Sequence, residues 1–227
     1  MKKQLDALPE DATAVVMLSN IESTAVDLML QWVETGRIKL SEKRYRLGGH
    51  QIDALVQFVD AACSLGVKLD EKEITEYFNE IFLQDRTALR SVHIRWAYEV
   101  QDDRSGPVDP ADFAQLQRQN ILRSMQLLFT KVACKEFLLY KDNPMATPYG
   151  EPVYYPFEAG VDEARRTAFN NGFRFDRDMK AIREFKYDLL DLFDQTWRTR
   201  EYLTKDTTNT SRRCFIDPLT GKRFIAD

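Results

Sequence analysis

Apolar side chains recur along most of this chain at intervals of three and four residues, the period of a buried helix face. Ile21, Ala25, Leu28, Met29 and Trp32 share one such face, and Val26, Leu30 and Val33 form a second stripe on another side. Ser19 and Glu22 have the spacing of a capping box, and Gly36 supplies a stop. Over 51–65, Ile52, Leu55, Val56, Val59 and Cys63 form one face and Phe58, Ala62 and Leu65 another, with Gly66 as terminator. Asp70 is placed to cap a helix with a single face, Ile74, Tyr77, Phe78, Ile81 and Phe82, backed by solvated glutamates. Residues 86–100 either continue that helix or form their own.

Gly106-Pro107 marks a turn, after which Asp109 at N-cap and Pro110 at the first helical position launch the next helix. It runs to about Tyr140 and is apolar nearly all round over 121–139, which predicts a place at the centre of a bundle. A Pro- and Tyr-rich loop follows at 142–160. Its Tyr149, Tyr154, Tyr155 and Phe157 either pin it to the bundle or offer stacking surfaces. The last long helix starts near Asp176, with Ile182, Phe185, Leu189, Leu192, Phe193 and Thr196 on one side; Leu190 and Trp197 lie off that stripe.

Two stretches abandon the helical period. Residues 37–47 alternate charged and apolar, which predicts a short β-hairpin. It is strongly basic: Arg37, Lys39, Lys43, Arg44 and Arg46 stand against the single Glu42, a local charge of +4. The C-terminal 206–227 opens with a polar spacer and then carries Phe215, Ile216, Leu219, Phe224 and Ile225 around the turn chemistry of Asp217-Pro-Leu-Thr-Gly221. This is either a small hairpin or an extended arm. Five large apolar groups after a spacer favour docking, on another chain or failing that on its own bundle.

Composition narrows the class. The chain has 227 residues, 44% hydrophobic and 30% charged, with only 9 Gly and 8 Pro, which disfavours a many-turned β fold. The net charge of −4 argues against a protein that coats nucleic acid. Cys63, Cys134 and Cys214 are unclustered, as expected of thiols in a reducing compartment, and the first two sit in apolar helical segments. The N-terminal run is interrupted by Asp6, Glu10 and Asp11 and reads poorly as a secretory signal. No stretch approaches the ~20 apolar residues of a membrane span, so a soluble, cytoplasmic protein without membrane contact is expected.

Motifs for chemistry are missing. His50 and His93 are the chain's two histidines, and no HExxH, CxxC, phosphate loop or nucleophile elbow occurs. Glu184, Asp188 and Asp191 share a flank but lack the histidines of a carboxylate-bridged metal site, and read as solvated acids. Gly48-Gly49 reads as a joint between hairpin and helix.

The expected architecture is therefore all-α: a multi-helix bundle of about six helices over 1–205, one hairpin near 37–47, and the arm 206–227. The expected role is non-catalytic, with no metal or cofactor: a structural or assembly protein in an oligomer or larger particle. Its contacts with other protein subunits would run through Phe215, Ile216, Leu219, Phe224, Ile225, Leu190 and Trp197. Helical core, protruding hairpin and long arm together resemble, in architecture alone, head–tail connector proteins of tailed phages. The alternative is a nucleic-acid-associated regulator that uses Arg37, Lys39, Lys43, Arg44 and Arg46 against phosphates.

Overall fold

A computed structural model describes residues 21–40, 48–99, 113–142, 173–204 and 211–226. Among them the fold is an all-α bundle completed by a small antiparallel sheet. Helix α1 (Ser23–Thr35) ends at Gly36, whose φ of 66° lets its amide close on the Trp32 carbonyl. Glu22, expected three residues inside a capping box, is itself the N-cap residue and makes no side-chain cap; Ser19 lies outside the described residues.

Helix α2 (Gly48–Ser64) starts earlier than its apolar pattern. It ends in a paired closure, Gly66 N–H to the Cys63 carbonyl and Val67 N–H to the Ala62 carbonyl, made possible by φ of 70° at Gly66. Helix α3 (Glu71–Gln84) is capped as expected: the Asp70 side chain accepts from the Glu73 amide. Asp85 then decides what 86–100 does. Its backbone closes α3 on Ile81, and its carboxylate takes the Thr87 amide, opening a 3-10 turn at Arg86–Ala88. A separate helix, α4 (Ser91–Glu99), follows.

Helix α5 (Phe113–Asp142) is the centre, touching α2, α3 and α4. Its buried residues include Ile121, Met125, Phe129, Ala133 and Phe137, while Phe113, Leu116 and Leu127 face solvent, so its apolar surface exceeds what the core takes up. The single helix expected from Asp176 is two. Ile182 takes an extended conformation between α6 (Asp176–Ala181) and α7 (Arg183–Arg198) and drives its side chain into the core. Two strings of rings fill that core. Phe78, Trp96 and Phe82 pack about Phe129; Phe173, Phe137, Phe193 and Trp197 run along α5 and α7.

The C-terminal segment is a hairpin. Strands β1 (Glu201–Thr204), β2 (Ser211–Ile216) and β3 (Arg223–Ala226) form one antiparallel sheet in that order, with Glu201 opposite Cys214 and Phe215 opposite Phe224. The sheet thus takes its first strand from before residue 205. The hairpin expected at 37–47 is described only over 37–40, where no strand forms. There Ile38 and Lys39 spend their amides on the Tyr77 hydroxyl and the Gln31 side chain rather than on a partner strand. Residues 41–47 lie outside the described residues, as does the loop expected at 142–160 beyond Asp142.

Gly48 shows why α2 begins on glycine. A Cβ there would stand 2.9 Å from the Ala88 Cβ and 3.1 Å from the Asp85 carboxylate. The Ala88 methyl has no rotamer by which to turn away, and Asp85 is tied by its carboxylate to the Thr87 amide. Gly48→Ala, normally stabilising by about 1 kcal/mol inside a helix, should here cost about 1–3 kcal/mol through overpacking. Chemical unfolding checks it; an unchanged or raised midpoint contradicts the close approach.

Candidate interaction surface

Strand alternation gives the sheet an inner face, packed on the bundle, and an outer face on which Cys214 is buried but Ile216 and Ile225 are exposed. On the inner face Phe215 is fully buried and contacts Trp197 and Phe224 with ring centroids 5.5 and 5.7 Å apart. Leu219 and Phe224 pack half-buried against the same core. Trp197 is held between Phe193 and Phe215, with the Arg200 and Arg213 guanidinium groups against its ring. On the outer face stand Ile216 and Ile225, 44% and 45% exposed, beside an Arg223–Glu201 ion pair. The structure therefore divides the seven apolar residues named from sequence. Phe215 is core, and Leu219, Phe224 and Trp197 join the sheet to the bundle. Ile216, Ile225 and, on α7, Leu190 reach the surface.

A second apolar strip lies on α1. Leu30 and Val33 are 54% and 66% exposed, and Val26 is half-buried on the same stripe. Beyond its C-terminus Arg37 and Lys39 face solvent; Lys43, Arg44 and Arg46 lie outside the described residues.

What holds the sheet down was invisible in the sequence. The Arg86 guanidinium donates to the buried Asp217 carboxylate, 131 residues away. Asp217 also accepts the Leu219 amide at 2.9 Å, while its backbone bonds Lys222 and Gly221 to shape the turn. Asp217 was legible as a turn residue, but nothing in sequence pairs it with Arg86.

Polar groups elsewhere in the core serve the fold. The acid expected to be solvated at 188 is instead an acceptor: Tyr98 donates its hydroxyl to Asp188 at 2.7 Å and lies 2.9 Å from the Thr130 hydroxyl, tying α4, α5 and α7 together. Burial, with Asp188 adding to it, raises the Tyr98 phenol. Asp60 accepts from Trp96 and Arg118, and Gln117 clamps Val67 and Leu69. Burial raises the Cys63 thiol and pushes Cys134 up to about 12; all three cysteines are buried and free, as inert thiols should be.

Both histidines meet Asp53. His93 Nε2 lies 2.9 Å from its carboxylate and His50 Nδ1 3.8 Å, while Arg90 pairs with the same acid. This resembles catalytic geometry but is a joint. His93 Nδ1 accepts the Arg90 backbone amide at 3.1 Å, so Nε2 carries the proton and gives it to Asp53, leaving no ring nitrogen for a substrate. Burial lowers the His93 titration, outweighing Asp53. For Asp53 burial pulls upward, but the bonds from His93 and Arg90 prevail and hold it low.

The sign follows. An imidazole that stays neutral in the fold but takes a proton when unfolded makes stability fall as pH drops below the ordinary histidine range. Between about pH 7 and pH 5 the wild type should lose stability that His93→Gln does not lose over the same interval. Urea melts at several pH values decide it; parallel slopes for the two proteins would show that His93 does not titrate this way.

Among the described residues no group of three His, Cys, Asp or Glu side chains is placed to hold a metal, and no helix is long and apolar enough to cross a membrane. No family model, curated protein or solved structure matches the chain.

Proposed function

We propose that this protein is a non-catalytic assembly subunit that works within an oligomer or a larger particle put together in the cytoplasm. The observation that carries this reading is the outer face of the C-terminal sheet. Ile216 and Ile225 lie diagonally across β2 and β3, presented by a sheet whose inner face is anchored in the core through Phe215. A rigid base lowers the entropy lost on association, so modest apolar area there counts for more than on a loose tail. The α1 strip of Leu30 and Val33 supports the same reading as a second contact.

Light scattering tests it. The wild type should exceed its 26.5 kDa monomer mass in a concentration-dependent way. Ile216→Ser with Ile225→Ser should return it toward the monomer while the helical circular dichroism holds. A wild type that stays monomeric at every concentration, or a double variant that assembles normally, sinks the reading.

A nucleic-acid role is the second reading, favoured by exposed Arg37 and Lys39 beyond α1. Phosphate contacts impose a steep salt dependence on retention by DNA or RNA. Reversing Arg44 and Arg46 to Glu should then abolish retention at low salt; a wild type that is not retained removes this reading.

A further inference from the structure

Where the 3-10 turn faces α5 there is a cleft of about 60 Å³, walled by Arg86, Lys135, Glu136 and Arg174 and by the alkyl groups of Val132 and Leu139. We propose that it binds a carboxylate carried on a short apolar body. The inference is independent of the assembly reading.

Charge is the first support. Three cations stand at the cleft against two carboxylates, Glu136 in the wall and Asp217 behind Arg86, so one positive charge, that of Lys135, is left over. Glu136 takes the Arg174 amide at 3.1 Å and its guanidinium at 3.0 Å. Burial nevertheless raises the Glu136 titration above the ordinary glutamate range, Arg174 only partly offsetting it. The Lys135 ammonium lies 5.1 Å from the Phe224 ring and has no ion pair among the described residues. An excess of positive charge beside low-dielectric walls attracts an anion more strongly than the same charge in open water.

Unfilled hydrogen-bonding capacity is the second. Arg86 commits one terminal nitrogen to Asp217, and its Nη1 has no acceptor among the described residues. Arg174 spends Nη1 on the Thr87 carbonyl and Nη2 on Glu136, leaving Nε without one. Buried guanidinium N–H groups without acceptors are costly; both atoms are closed to solvent as they stand, so an entering anion satisfies them only when the guanidinium groups turn toward the cleft.

Shape and wall chemistry then select the anion. A single water needs about 10–15 Å³ counted the same way, so the cleft holds on the order of four to six heavy atoms. Phosphate would turn oxygens toward Val132 and Leu139, where nothing can satisfy them. A carboxylate places both oxygens on one side, for the guanidinium and ammonium groups, and an alkyl tail on the other.

The test uses the full chain and three probes, sodium butyrate, sodium acetate and inorganic phosphate, at constant ionic strength. Amide shifts in NMR and the thermal midpoint are followed together. Butyrate should bind saturably and raise the midpoint, acetate more weakly, and phosphate should not displace butyrate. Lys135→Gln removes a charge from a half-buried stem and should weaken butyrate about tenfold, while the midpoint without ligand falls by no more than the loss of one cation–π contact with Phe224 would cause. Leu139→Asn should bring butyrate down to the affinity of acetate; if that variant does not fold, the butyrate-to-acetate preference of the wild type gives the same reading of the wall. Non-saturating shifts, displacement by phosphate, equal affinity for acetate and butyrate, or full affinity in Lys135→Gln would each overturn the proposal.

Discussion

Phe215→Ala should cost about 3–5 kcal/mol, the range for emptying the space of a fully buried phenyl ring. The ring links Trp197 on α7 to Phe224 on β3, so its removal opens the joint between bundle and sheet as well as leaving a cavity. Phe215 is fully buried, so the loss should appear in global unfolding by urea and not in a local opening alone. Deleting 206–227 should be at least as damaging. It removes Phe215 and also the acceptor of Arg86. A truncated chain with wild-type stability would mean that the hairpin only leans on the bundle.

Asp217→Ala is the second large effect, about 3 kcal/mol, at the low end of the range for breaking a buried ion pair. The side chain of Asp217 is 6% exposed and that of Arg86 23%, so the orphaned guanidinium keeps some access to water, which moderates the penalty. Part of the loss belongs to the turn, because the carboxylate also holds the Leu219 amide. Asp217→Asn separates the two: it retains an oxygen for that amide but not the charge, and should cost less than alanine. Adding Arg86→Met to Asp217→Asn should recover stability, since the dominant cost is an unpaired buried cation and not a missing attraction. A double variant no more stable than Asp217→Asn would place the energy in the turn instead. The same arginine lines the proposed anion cleft, so affinity for butyrate is read on Lys135→Gln, which leaves Arg86 and Asp217 in place.

Gly36, Gly66, Asp70 and the faces of α1, α2 and α3 were legible because they are local. A cap or a left-handed glycine acts over four or five residues, and an apolar face repeats every turn. The all-α class follows from such signals, as does the burial of α5. The turn chemistry at Asp217 was legible for the same reason.

Periodicity was silent where a local signal met a distant partner. The alternation beginning at Arg37 looks like a strand, yet the Ile38 and Lys39 amides go to Tyr77 and Gln31, which lie on helices. The acidic flank of α7 looks solvated by period alone, but Tyr98 reaches Asp188 from 90 residues away. His93 and Asp53 are 40 residues apart and share no motif.

By itself, then, the amino-acid sequence determined the all-α class, the ends at Gly36, Gly66 and Asp70 and which faces are apolar, since those depend on dihedral preference and periodicity within a few residues. Only the tertiary structure decided that Phe215 completes this chain's own core while Ile216 and Ile225 face outward. It also brought Arg86 to Asp217, and Arg174 to Glu136 and Lys135 around one cleft. The physical reason is that burial and charge pairing are properties of space: two groups far apart in sequence acquire an energy together only once the chain between them has been folded.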